Sequence, residues 1–164
     1  GKRKMPIRLP DEEPTSFGLM EEGIYSAKVE GSIIKRSQTS GNEYVELTFR
    51  LGNNRMLWDR IHFPDEETLS EALSKRAAKT GLDKEEKAAI STLNILQRRM
   101  QGLGLPYKGI DVTPEWLAPE AYNKKCYLDV RIERREGFKD RNVVFDIIPI
   151  EIETEVVEKT DLPF

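Results

Sequence analysis

Three runs of alternating apolar and polar residues, a stretch with helical spacing, and two further alternating runs follow one another along the chain, and this order limits the fold more than any other feature. The first run spans Ile24 to Ile34. After a polar loop from Lys35 to Asn42, Tyr44 to Leu51 alternates again, with Val45, Leu47 and Phe49 on one face and Tyr44, Glu46, Thr48 and Arg50 on the other. Two such runs joined by a short polar loop predict a β-hairpin. Gly52-Asn53-Asn54 is a tight-turn signal, and Arg55 to Phe63 supplies a third strand running back, which makes a meander.

Pro64 ends the third strand. From Asp65 to Ala78 the apolar residues Leu69, Ala72, Leu73 and Ala77 keep helical spacing, closed by Gly81. Asp83 followed by Glu86 predicts a capping box at the start of a second helix, carrying Ile90, Leu93, Ile95, Leu96 and Met100 and stopping near Gly102 or Gly104. Thr113-Pro114-Glu115 reads as an N-cap with proline at the first helical position, giving a short turn anchored by Trp116 and Leu117. Strands then return: Cys126, Leu128, Val130 and Ile132 alternate with Tyr127, Asp129, Arg131 and Glu133, and after a loop from Arg134 to Asn142 a last strand covers Val143 to Ile150.

A mainly β domain with an α insert is therefore expected: a five-stranded OB-fold barrel with its helical segment between the third and fourth strands. The domain spans residues 21–150, preceded by an extended arm over 1–20 with Pro6, Pro10 and Pro14, and followed by an acidic flexible tail over 151–164. OB barrels bind single strands on the outer surface of strands two and three and between the loops joining strands one to two and four to five. Here the first loop is Lys35 to Asn42, and the second carries Arg134, Arg135, Phe138, Lys139 and Arg141.

Composition sets the class of protein without settling its partner. The chain has 164 residues, enough for one ordinary domain, and 26 Lys and Arg against 29 Asp and Glu give a net charge of −3. Residues 151–164 hold five acids against Lys159, a net of −4, so the rest of the chain is at +1 and any affinity for nucleic acid must come from a local patch. The single cysteine, Cys126, sits in an apolar alternating run, which predicts a core role in a reducing cytoplasm. No apolar stretch approaches the ~20 residues of a membrane span, so a soluble protein is expected.

A single-strand groove interleaves aromatic rings, which stack on bases for about 1 to 3 kcal/mol each, with the cations that hold phosphates. Phe138, between Arg135 and Lys139 in a loop, is the leading ring. Tyr44 faces away from the apolar side of its strand and is placed on the outer surface. Trp58 shares a face with Met56 and Arg60; a Trp is usually mostly buried, so it reads as core ahead of stacking but stays a candidate. Tyr127 and Arg131 extend the polar face of the fourth strand, and Lys35, Arg36 and Arg50 complete the candidate set. A nuclease built on Glu46 and Asp59 is set aside because no nearby Lys completes such a site. His62 is the only histidine, so no His-based triad or multi-His zinc site is available. Neither catalysis nor a cofactor or metal is expected.

Two resemblances bear on function. The chain ends in Asp161-Leu162-Pro163-Phe164, an apolar tip beside its own carboxylate with acids upstream, and Pro163 lowers the entropy lost on docking into a pocket with a basic rim. It resembles the C-terminal tip of bacterial and phage single-stranded-DNA-binding proteins, which recruits replication and repair enzymes. The middle of the chain, from Gly23 to Pro149, resembles a phage family long labelled as a domain of unknown function and found among replication genes. That resemblance rests on Glu22-Gly23-Ile24-Tyr25, Ser40-Gly41-Asn42-Glu43-Tyr44, Leu57-Trp58-Asp59 and Asp140-Arg141-Asn142-Val143. It implies an OB-fold protein that protects single-stranded DNA in replication and recombination, acting in the host cytoplasm if phage-encoded and compatible with a homo-oligomer. The competing expectation is a replisome adaptor that binds proteins through its helical face and tail but not DNA.

Overall fold

The computed structural model describes residues 5–9 and 18–150. Within them the fold is mainly β: five antiparallel strands form one open sheet, and three helices pack against it. The strands are β1 (Gly23–Arg36), β2 (Glu43–Leu51), β3 (Met56–His62), β4 (Lys125–Glu133) and β5 (Arg141–Pro149), in the spatial order β3-β2-β1-β4-β5. The long β1 is shared, pairing with β2 through Ala27 to Arg36 and with β4 through Gly23 to Lys28. A bulge between Val29 and Gly31 shifts its register against β2. Gly31 lies opposite Thr48, where an added Cβ would come within 3.3 Å of the threonine side chain.

Alternation decides which face of β2 is inside. Val45, Leu47, Phe49 and Leu51 are buried together with Val29, Ile61, Leu128 and Val130 in one core. Cys126 belongs to it, and burial pushes its thiol pKa up to about 12, so it packs as a small apolar group.

The helices form where their caps predict. In α1 (Glu66–Ala77), the Asp65 carboxylate accepts from the Thr68 amide at 3.0 Å. In α2 (Lys84–Gly102) both halves of the capping box are made: Asp83 accepts from the Glu86 amide at 2.8 Å, and Glu86 accepts from the Asp83 amide at 2.9 Å. The Asp83 amide, then Lys75 of α1, holds the Glu86 carboxyl below its ordinary pKa, so one acid both starts α2 and ties it to α1. α1 ends at Ala77, before the predicted Gly81 stop, because Lys79 takes the left-handed conformation at φ 58°. In α3 (Pro114–Ala121) the Thr113 hydroxyl accepts from the Trp116 amide, Leu117 and Ala121 are buried, and Trp116 is half-buried against the core.

α2 determines how the two ends of the sheet stand. It packs on β5 and touches β3. At Gly102 the approach is so close that a Cβ would meet the Ile147 carbonyl oxygen at 2.1 Å, so only glycine fits. One turn earlier Arg99, with its side chain 12% exposed, reaches both edge strands. Its Nε donates to Asp59 of β3 at 2.8 Å, and Nη1 lies 3.4 Å from Asp146 of β5 and 3.3 Å from the Phe145 carbonyl. Among the described residues no ladder joins β3 to β5, so the seam is bridged by this guanidinium instead of by backbone hydrogen bonds.

At the N-terminal side the domain begins slightly before its expected boundary. Met20 is buried and held by Asn142, whose side chain accepts from the Met20 amide at 2.8 Å and donates to its carbonyl at 2.9 Å. Residues 5–9 have no regular secondary structure, and Met5, Ile7 and Leu9 are exposed. Residues 1–4 and 10–17 of the predicted arm and the predicted acidic tail over 151–164 lie outside the described residues.

The seam gives a stability prediction. Burial raises the Asp59 carboxyl pKa against the opposing pull of Arg99, so removing the arginine leaves a carboxylate in a site that disfavours its charge. Arg99→Met is expected to lower unfolding free energy in urea by roughly 3 kcal/mol, and Arg99→Met with Asp59→Leu to recover most of it. A loss below about 0.5 kcal/mol, the size of an ordinary surface change, would show that the bridge does not hold the seam.

Candidate nucleic-acid interface

The outer side of β3 and the start of β5 form the two banks of an open cleft of about 740 Å³. Trp58, Arg60 and His62 stand on one bank with Glu46 of β2 behind them, and Arg141, Asn142 and Val143 form the other. Each loop named from the sequence is tied to the cleft through a residue at its end. Lys35, where β1 enters the first loop, pairs with Glu46, and Arg141 is the residue on which the second loop ends.

Trp58 is 56% exposed, which corrects the expectation that it packs in the core. Cross-strand register supplies the reason: Trp58 lies opposite Thr48, and Thr48 opposite Gly31, so no large side chain covers the indole from the neighbouring strands. Tyr44 is corrected in the other direction. It does face away from the apolar side of β2, yet it is only 8% exposed. The Arg60 guanidinium lies 5.4 Å from its ring centroid and His62 packs at 5.2 Å. Tyr127 is 2% exposed, set between Ser26 of β1 and Ile148 of β5 in the interior of the sheet, and has no face to offer a base.

The second loop keeps its predicted character. Phe138 is 67% exposed, with the Arg135 guanidinium 4.7 Å from its centroid. Lys139 is exposed and makes no ion pair among the described residues. Arg134 pairs with Asp140 at 3.4 Å and Arg141 with Glu133 at 2.9 Å. Elsewhere the candidate cations also have acidic partners: Arg36 with Glu43, Arg50 with Glu30, Lys35 and Arg60 both with Glu46. The patch expected from the list of basic residues is thus a lattice of ion pairs with exposed rings among them.

Phe145 escaped the sequence reading. It is 56% exposed, and the Arg131 guanidinium sits 4.0 Å from its ring centroid while pairing with Asp129 at 3.1 Å. The signal was present in the last strand, where period 2 puts Phe145 on the side of Val143, whose cross-strand partner is Arg131. Hydrogen bonding to Asp129 raises the Arg131 pKa further, so this charge is permanent.

Glu46 and Asp59 do not combine into a metal site. Lys35 does stand beside Glu46, against the expectation that no lysine is near, but Asp59 is engaged by Arg99. Among the described residues no group of three or more His, Cys, Asp or Glu is placed to hold a metal, and no helix is long and apolar enough to cross a membrane. The chain matches no family model and no curated protein at a significant level.

Exposure separates the aromatics by what their loss should do to the fold. Trp58→Ala is expected to change unfolding free energy by less than about 1 kcal/mol, whereas Tyr127→Ala should cost about 3 to 5 kcal/mol as a large core truncation does. Urea denaturation of both variants checks this, and equal losses would place Trp58 in the core after all.

Proposed function

We propose that the chain is a non-catalytic single-stranded-DNA-binding protein of phage type, built on an OB-fold whose barrel closes across the β3–β5 seam. One observation carries the reading: the exposed Trp58 shares an open cleft with Arg60 and Arg141, and the exposed Phe138 stands beside Arg135 in the loop that leads to Arg141. Bases stack on Trp58 and Phe138, while Arg60, Arg135, Lys139 and Arg141 meet the phosphates. Strand order supports the barrel, because β1 pairs with both β2 and β4 and leaves β3 and β5 to face each other, bridged by Arg99. The sequence resemblance to a phage replication-gene family supports the biological setting, in which the protein protects exposed strands. Recruitment of replication and repair enzymes through Asp161-Leu162-Pro163-Phe164 is part of the same proposal and rests on the sequence of that segment.

The adaptor reading has its own support. An apolar groove of about 520 Å³ opens between the helices and the segment before α3, lined by Phe63, Leu69, Leu93, Met100, Tyr107 and Ile110. Together with the ion pairing of the cations, it favours a protein partner.

Titration with oligo-dT and with matched duplex, followed by Trp58 fluorescence at several salt concentrations, separates the two. Single-strand binding stronger than duplex binding is expected, weakening as salt rises. Phe138→Ala should lower the affinity by about 1 to 3 kcal/mol without changing the melting temperature. No salt-sensitive binding to oligo-dT would replace this reading with the adaptor.

A further inference from the structure

Glu46 stands in the cleft between two cations. Its carboxylate projects from β2 into the cleft with the side chain 15% exposed, Oε1 lies 2.9 Å from Lys35 Nζ, and Oε2 lies 3.8 Å from Arg60 Nε. Each oxygen takes a different cation, so a single acid engages Lys35 from β1 and Arg60 from β3 across the strand between them. Arg60 is steadied further by the Tyr44 ring beneath it. At the far bank Glu133 holds Arg141 in the same manner. The cations of the cleft are therefore neutralised before any ligand arrives, while Trp58 beside them is open to solvent.

We propose that Glu46 is a specificity-determining residue: by occupying Lys35 and Arg60 it makes base stacking a condition of entry, so the cleft takes base-bearing single strands and rejects polyanions without bases. The inference deepens the single-strand reading and rests on it. A phosphate that approaches these cations must displace a carboxylate that already satisfies them, which exchanges one anion for another with little electrostatic gain, and the displaced Glu46 then repels the incoming charge. Only a ligand that brings a further favourable contact overcomes that exchange. A base on Trp58 supplies it.

Glu46→Gln tests this, because the substitution keeps the side-chain shape while freeing both cations, and Lys35 and Arg60 are exposed enough to remain solvated without a counter-charge. The full chain is bound to labelled oligo-dT over a salt series, and inorganic polyphosphate is used as the competing polyanion. The wild-type protein is expected to hold oligo-dT against polyphosphate. The variant should bind oligo-dT about three- to tenfold more tightly, show a log–log salt slope steeper by about 0.7, and lose label to polyphosphate at a lower concentration. Glu133→Gln, which frees Arg141 on the other bank, should move the same readouts in the same direction. A Glu46→Gln protein with unchanged affinity, slope and competition, when the wild type binds, overturns the inference and leaves the single-strand reading standing. Failure of both proteins to bind oligo-dT overturns that reading and the inference with it.

Discussion

Arg99 joins two strands that no backbone ladder connects. β3 and β5 end the strand order on opposite sides, and α2 brings one guanidinium to Asp59 of the first and Asp146 of the second. The helix reaches that position because Gly102 lets its last turn lie against the Ile147 backbone. Its start is fixed by the capping box of Asp83 and Glu86 and by Lys75 of α1. Both ends of α2 thus serve to bring Arg99 to the seam. A charged bridge of this kind adds little net stability compared with apolar packing, but it fixes which edges meet and at what separation.

The cleft is the outward expression of the same arrangement. With β3 and β5 held apart by side chains, their outer faces form two banks, and the residues projecting there are those whose strand neighbours are small or charged. Trp58 stays open because Thr48 and Gly31 follow it across the sheet, whereas Tyr44, two residues from the same sheet edge, is closed by Arg60 and His62. Exposed indole and phenyl rings cost free energy when solvated, so Trp58 in the cleft and Phe138 in the loop before Arg141 support the proposed binding surface. In the proposed reading the acids beside the arginines tune selectivity, since paired cations attract a polyanion less than free ones.

Much of the architecture was legible because strand alternation and helix caps are local signals. The hairpin of β1 and β2, the capping box at Asp83, the proline start of α3 and the core role of Cys126 all follow from neighbours in the chain. The site was less legible, for a physical reason: the face on which a side chain projects can be read from period 2, but whether that face is covered depends on partners distant in sequence. Tyr44 and Tyr127 project as predicted and are nevertheless buried, one under residues from β3 and the other within the sheet interior. The ion pairs of Lys35 and Arg60 with Glu46 required the three-strand register, and the Arg99 bridge joins residues 40 and 47 positions apart. Phe145 projects on the side that period 2 gives it, but its place beside Arg131 depends on the β4–β5 register, which shifts between Asp129 and Val130.

The central claim is that the β3–β5 cleft, and not the helical groove, is the binding surface. Amide hydrogen exchange of the full chain with and without oligo-dT tests it most directly, because each amide reports its own segment. The account predicts slowed exchange in residues 56–62, in the loop 134–140 and in 141–146, with α1 and residues 105–114 unchanged. Protection confined to α1 and residues 105–114, or no protection anywhere, would contradict it.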